Sequence, residues 1–168
     1  MSNVRDATPD DAEAISRLAG RTFALACPGH TPAASITQHI RTELTAAKFR
    51  DYLNSAQFLV VDGGDGVVGY VMLTTDPPPI DTTWVSPMEI RRIYVDESEH
   101  GTGVAAALMR AGLDRAVCGG HDWVWLGTNR ENARAIRFYR KYGFAVVGHR
   151  TFRVADSVES DYVMARPA

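Results

Sequence analysis

Two stretches carry residue types whose spacing could do chemistry. The first is "EHGTGVAAALMRAG", from Glu99 to Gly112, in which Gly101 and Gly103 precede a run of good helix formers. The start of a helix leaves backbone N–H groups unpaired and carries partial positive charge, so it suits a phosphate or pyrophosphate. Residues without a Cβ let an anion approach those amides closely. His100 and Thr102 could add side-chain donors, and Val104, Ala107, Leu108 and Ala111 fall on one face that can anchor the helix to a sheet. Taken alone, a plain glycine turn before an amphipathic helix explains the pattern as well. The stretch lacks the Gly-Lys-Ser/Thr of a P-loop and the third glycine and early strand of a dinucleotide fingerprint.

The second stretch is "ENARAIRFYRKYGF". Asn132, Ala135 and Tyr139 stand at i, i+3 and i+7, on one helix face. A polar group, a small residue and a phenol on one stripe suit a groove beside something long and thin. A helix whose aromatics pack inward and whose Asn caps its end gives the same spacing.

The elements that must position these residues follow from periodicity and turn chemistry. "NVRDAT" reads as a short first strand. In "ATPDDAEAISRLAG" Thr8 can cap a helix, Pro9 suits its first turn, Asp10 and Asp11 suit its dipole, and Gly20 is placed to end it. A second helical region follows Thr31-Pro32 and breaks near Leu44, where Thr45 can cap "AAKFRDYLN". "QFLVV" and "VVGYVMLTT" are strands joined by the hairpin signal "DGGDG". "DPPPID" is a loop, and "MEIRRIYV" is the next strand. A helix follows from about Gly103 to Val117, then the strand "WVWL", then a helix stopped by Gly143. "FAVVGHRTF" and "DYVMAR" close as strands. The order implies a mixed α/β sheet, antiparallel first and partly parallel later, in one domain spanning 1–168.

Composition narrows the function classes. The net charge of −2 argues against a general nucleic-acid surface. No apolar run reaches the roughly 18 residues of a membrane span. The polar start "MSNVRDATPDD" shows no signal peptide. Cys27 and Cys118 belong to no CxxC pair, which fits free thiols in a reducing cytoplasm. The five histidines share no metal-ligand spacing, so no metal is expected.

Together the two stretches resemble the GNAT superfamily of acyl-CoA-dependent N-acyltransferases. The family's pyrophosphate motif, Gln/Arg-x-x-Gly-x-Gly/Ala, is met here by His100-x-x-Gly103-x-Ala105, with His in place of the amide or cation. Its second motif is met by Asn132-x-x-Ala135 and "FYRKYGF", Phe138 to Phe144. "EIRRIYV" before the glycines, "WLG" before the second helix and the tail "GHRTF…D…MA" are similar to the PaiA-like polyamine N-acetyltransferases.

The resemblance implies a GNAT fold of about seven strands and about four helices, with a V-shaped splay between strands four and five. It implies acetyl-CoA as cosubstrate. Backbone groups of Ile93, Tyr94 and Val95 would meet the pantetheine arm, and the Val95 N–H would hold the acetyl carbonyl. His100, Gly101, Thr102, Gly103, Val104 and Ala105 would hold the pyrophosphate. Asn132, Ala135 and Phe138 would flank the arm, and Lys141 or nearby arginines the outer phosphates. Tyr139 matches the family's general acid. Glu89, 14 residues before Gly103, matches its strand glutamate base, or anchors substrate charge. The implied partner is a small-molecule amine, a polyamine above all. A peptide acceptor, a CoA-binding module without turnover and a homodimer stay open. Glu43, Asp81, Glu89, Asp156, Glu159 and Asp161 could draw a cation, and Tyr70, Trp84 and Tyr94 could line an acceptor pocket.

Overall fold

The computed structural model describes residues 2–168; the side chain of Phe152, part of the "GHRTF" resemblance, and Met1, the first residue of the polar start, lie outside the description. One seven-stranded sheet runs in the order β1-β2-β3-β4-β5-β7-β6. Its strands are β1 (Val4–Asp6), β2 (Gln57–Gly63), β3 (Gly66–Thr74), β4 (Pro87–Val95), β5 (Trp123–Asn129), β6 (Ala145–Val154) and β7 (Ser157–Pro167). The helices are α1 (Ala12–Ala26), α2 (Ala33–Glu43), α3 (Ala46–Ser55), α4 (Val104–Cys118) and α5 (Ala133–Lys141).

A one-turn 3-10 helix, Pro9–Asp11, leads into α1. The Thr8 N–H donates to Asp11 Oδ2 at 2.7 Å, so a carboxylate satisfies an orphan donor there. Contrary to the expectation for Gly20, α1 continues to Ala26. Its apolar face, Ile15, Leu18, Ala19 and Phe23, stays in register through the glycine. A Cβ on Gly20 would stand 3.5 Å from Ile40 of α2, so the residue marks a helix contact rather than an end. Thr45 caps α3 by accepting from the Lys48 N–H at 3.2 Å. With the expected break at Leu44–Thr45, the described residues form five α-helices, against the about four that the family resemblance implied.

Parallel pairing is confined to one short ladder, Pro87–Glu89 of β4 with Trp123–Trp125 of β5. The later alternation is not a second parallel crossover, because β7 lies between β5 and β6 and is antiparallel to both. Burial explains the order. Val163, Met164 and Ala165 of β7 are wholly enclosed, while β6 carries His149, Arg150 and Arg153 and takes the edge, where charges discourage pairing with another chain.

Each sheet face carries an apolar layer. One joins Leu59, Val71, Leu73 and Ile90 to α4, and the other joins Phe58, Val60, Tyr70 and Met72 to α1 and α3. The stripe α4 buries is Val104, Leu108, Met109, Gly112 and Ala116, so Ala107 and Ala111 only flank it. Leu108 and Met109 are fully enclosed and contribute about 1.5–3 kcal/mol each. Gly69 of β3 permits this approach, since a Cβ there would lie 2.8 Å from Val104. Among the described residues no helix is long and apolar enough to cross a membrane.

Candidate active site

The site begins with a β-bulge. In the β3–β4 ladder Met72 faces Arg92 and Leu73 faces Ile90, so no β3 residue opposes Arg91. The extra residue shifts the alternation by one. Glu89 and Arg92, three apart, therefore share a sheet face with Thr74 and Met72, while Ile90 and Ile93 share the other. Past Glu89, β4 has no ladder to β5, and the strands part. The Asp96 N–H donates to Val68 O at 2.8 Å. Alternation back along the strand turns the Tyr94 N–H to β3 and the N–H groups of Ile93 and Val95 into the gap.

A cavity of about 750 Å³ fills the gap and extends under α1, α2 and α3. Glu89, Ile93, Tyr94, Asn132, Ala135 and Tyr139 all line it. Glu89 is 2% exposed, accepts from Thr74 Oγ1 at 2.7 Å and pairs with Arg91 at 3.3 Å. Arg91 also pairs with Asp76 at 2.8 Å. Burial raises the pKa of Tyr139, and the nearby Tyr94 phenol adds to the rise, so Tyr139 is a neutral proton donor at ordinary pH. Asn132 caps α5, its Oδ1 accepting from the Ala135 N–H at 3.2 Å, which leaves its amide protons for a ligand.

Beyond the end of β4 the chain turns through the glycine stretch. Gly101 and Gly103 have φ of 83° and 93°, and a Cβ on either would stand in open space. Both conditions favour glycine, and together they form a cradle that side chains would fill. No backbone acceptor among the described residues takes the N–H of Gly101, Gly103, Val104 or Ala105. His100 Nε2 donates to Val95 O at 3.2 Å, and Arg134 Nη1 donates to His100 Nδ1 at 2.8 Å.

Other expected residues fall elsewhere. The Thr102 hydroxyl donates to Glu99 O at 2.6 Å, so its proton serves the loop itself. Phe138 packs on Tyr142 at 5.1 Å and lies off the cavity. Lys141 is exposed in the last turn of α5, at the opposite end from Asn132, and does not reach the cavity. Tyr70 is wholly buried in the core, and Trp84 stacks on Trp123 at 4.8 Å away from the cavity; only Tyr94 of the three aromatics lines it. Glu43, Glu89, Glu159 and Asp161 reach the cavity wall, and Asp81 and Asp156 do not.

Residue types alone missed several groups. Arg92 and His39 line the same cavity. Burial lowers the His39 pKa, and Arg92 lowers it further. His30, Glu131 and Glu159 place their ligating atoms within 4.8 Å of one another, from three distant parts of the chain. The double arginine in "EIRRIYV" was the one readable signal, being two adjacent cations in a strand whose other charge is Glu89.

A strand gap edged by free-facing amides, a glycine cradle at a helix start and a half-buried phenol fit an acyl-CoA, and they define an acyltransferase of the kind that moves an acyl group from coenzyme A. The chain belongs to the acetyltransferase (GNAT) family, whose family model matches residues 24–144. It is an acetyl-CoA-dependent N-acetyltransferase of that family. An uncharacterized N-acetyltransferase of Mycobacterium tuberculosis is 39% identical to it over 158 residues, 93% of this chain and 97% of that one. A mycothiol acetyltransferase of Sanguibacter keddieii is 30% identical over 152 residues, 82% of this chain and 47% of that protein. The PaiA N-acetyltransferase of Thermoplasma acidophilum, solved in complex with coenzyme A, shares the fold with a TM-score of 0.81 at 18% identity, covering 100% of this chain and 99% of that one.

Proposed function

We propose that this protein acetylates a primary amine of a small molecule by direct attack, with amine and acetyl-CoA bound together. The observation that carries this reading is that Glu89 and Tyr139 line one cavity at the point where β4 and β5 part. When bound, acetyl-CoA supplies the thioester whose acetyl group is transferred. An alkyl ammonium has a pKa of about 10 and must lose a proton before it can attack. Glu89 takes that proton, directly or through water. The Val95 N–H, turned into the gap, donates to the acyl oxygen as charge develops there. Tyr139, kept protonated by burial, gives its proton to the departing sulfur. The amides of Gly101, Gly103, Val104 and Ala105 hold the pyrophosphate, and the Asn132 amide holds the pantetheine arm.

A polyamine acceptor draws support from the four carboxylates on the cavity wall, Glu43, Glu89, Glu159 and Asp161. Against it stand Lys48, Arg91, Arg92, Arg150 and Arg153 on the same wall. Two free cysteines suit action in the cytoplasm. The test is release of free thiol from acetyl-CoA across a panel of polyamines, amino acids, aminoglycosides and peptides. Release with at least one amine is expected; release with none overturns the reading.

A further inference from the structure

Arg92 is the cation in this cavity whose surroundings call for an explanation. The bulge at Arg91 turns it onto the same sheet face as Glu89, the residue assigned to the reacting amine. Its guanidinium lies 5.1 Å from the ring centre of Tyr52 and 5.7 Å from that of Phe49, with Met72 Sδ at 3.9 Å. Arg91 and Arg150 on the same wall each pair with a carboxylate, Asp76 and Asp161 respectively. Arg92 has no carboxylate within ion-pair distance among the described residues. Arg153, also without an ion pair, is exposed, and solvent screens it.

Arg92 is half-buried, and a charge partly withdrawn from water is best stabilised by a partner, for which aromatic faces compensate only in part. The Tyr52 hydroxyl also meets the guanidinium, but it is a neutral partner, so the part of the fork that faces the cavity can take an anion. The cavity supplies the opening, and its neighbours do not compete: His39 stays neutral under the combined effect of burial and Arg92 itself.

We infer that Arg92 binds an anionic group of the acceptor, so that the substrate carries a carboxylate as well as the reacting amine, as an amino acid or its longer-chain analogues do. The inference rests on the amine-acetylation reading above. Glu89 receives the ammonium and Arg92 the carboxylate, and β4 sets the distance between them. A polycation would place an ammonium beside a half-buried, carboxylate-free guanidinium and is disfavoured there.

The experiment compares kcat/KM by thiol release for amino acids, their carboxamides, the matching decarboxylated amines and spermidine. In the wild type at least one amino acid should exceed its own amide and amine by tenfold or more. In Arg92→Met that ratio should fall to about one, while Arg92→Lys keeps part of it. The loss should appear in KM for the acid more than in kcat, with acetyl-CoA affinity by calorimetry retained. If wild type acetylates amides, amines or spermidine as well as any acid, the Arg92 assignment is wrong and amine acetylation stands. If Arg92→Met keeps the preference, the assignment is also wrong. If no amine of any kind releases thiol although acetyl-CoA binds, both readings fail. Should Arg92→Met not fold, the wild-type comparison and Arg92→Lys decide the matter.

Discussion

Arg134 Nη1 donates to His100 Nδ1 across 2.8 Å, joining the first turn of α5 to the glycine loop before α4. The bond fixes the His100 tautomer, because a nitrogen that accepts from arginine leaves its proton on Nε2, which donates to Val95 O at 3.2 Å. His100 stands where the family carries Gln or Arg, and the geometry returns a cation to that place through Arg134. Arg134→Ala should weaken acetyl-CoA binding about fivefold, or about 1 kcal/mol, as befits an exposed charge. Calorimetric titration at low and high salt measures it, and the difference should shrink at high salt. An unchanged affinity at low salt would leave Arg134 with no part in the cradle.

Gly103 should tolerate no side chain. At φ 93° an L-residue is strained by about 1–2 kcal/mol, and its Cβ would enter the open space where the pyrophosphate is proposed to sit. Acetyl-CoA should raise the melting temperature of the wild type, since a ligand of the native state stabilises it by mass action. Gly103→Val should melt a few degrees lower and lose that rise. A variant that keeps the rise would separate the glycine from cosubstrate binding.

Much of this was legible in the chain. Thr45 and Asn132 cap the helices their positions promised, and Gly143 takes the positive φ that ends α5. Glu89 and Tyr139, 50 residues apart, do meet one cavity. The bulge was not legible as such: the doubled arginine in "EIRRIYV" interrupts the alternation, but it does not say where the partner strand skips a residue. It is the partner strand's register that inserts the extra residue at Arg91. Gly20 misled for a similar reason: its role is set by Ile40 on another helix, which local sequence does not reveal. The His30–Glu131 contact joins residues 101 apart, beyond any spacing rule.

That contact gives a pH prediction. Glu131 at 2.7 Å raises the His30 pKa by hydrogen bonding, with smaller contributions from the charges of Glu131 and Glu159. A raised folded-state pKa means the contact stabilises fully below the unfolded value of about 6.5, and the benefit is lost as pH rises through the folded value. The wild type should therefore melt higher than His30→Ala in mildly acidic buffer, and the gap should close in alkaline buffer. A gap that stayed constant with pH would show that His30 acts by packing rather than by charge.

Tyr139→Phe keeps the ring that packs on Phe144 at a centroid distance of 6.1 Å and removes only the hydroxyl. A group acting in the transition state lowers kcat and leaves cosubstrate binding alone. The expected fall in kcat is about a hundredfold, the lower end for a general acid. Single-turnover kinetics with acetyl-CoA saturating make the measurement, and full turnover there would remove the acid role.

Glu89→Gln offers the cleanest separation of catalysis from fold. The amide keeps the volume and can still accept from Thr74 Oγ1, now at 2.7 Å from the carboxylate. Arg91 is not orphaned, because Asp76 holds it at 2.8 Å. The melting temperature should thus move little. The rate should respond to pH instead. Below the amine pKa nearly all acceptor arrives as ammonium, and without the carboxylate only the small free-amine fraction can attack. As pH approaches about 10 that fraction becomes large and the missing base matters less. The ratio of wild-type to variant kcat/KM should accordingly be greatest near pH 6 and fall steadily towards pH 9. A ratio that stays flat with pH would make Glu89 an anchor for the acceptor's charge, and the proton would then leave the amine before it enters the cavity.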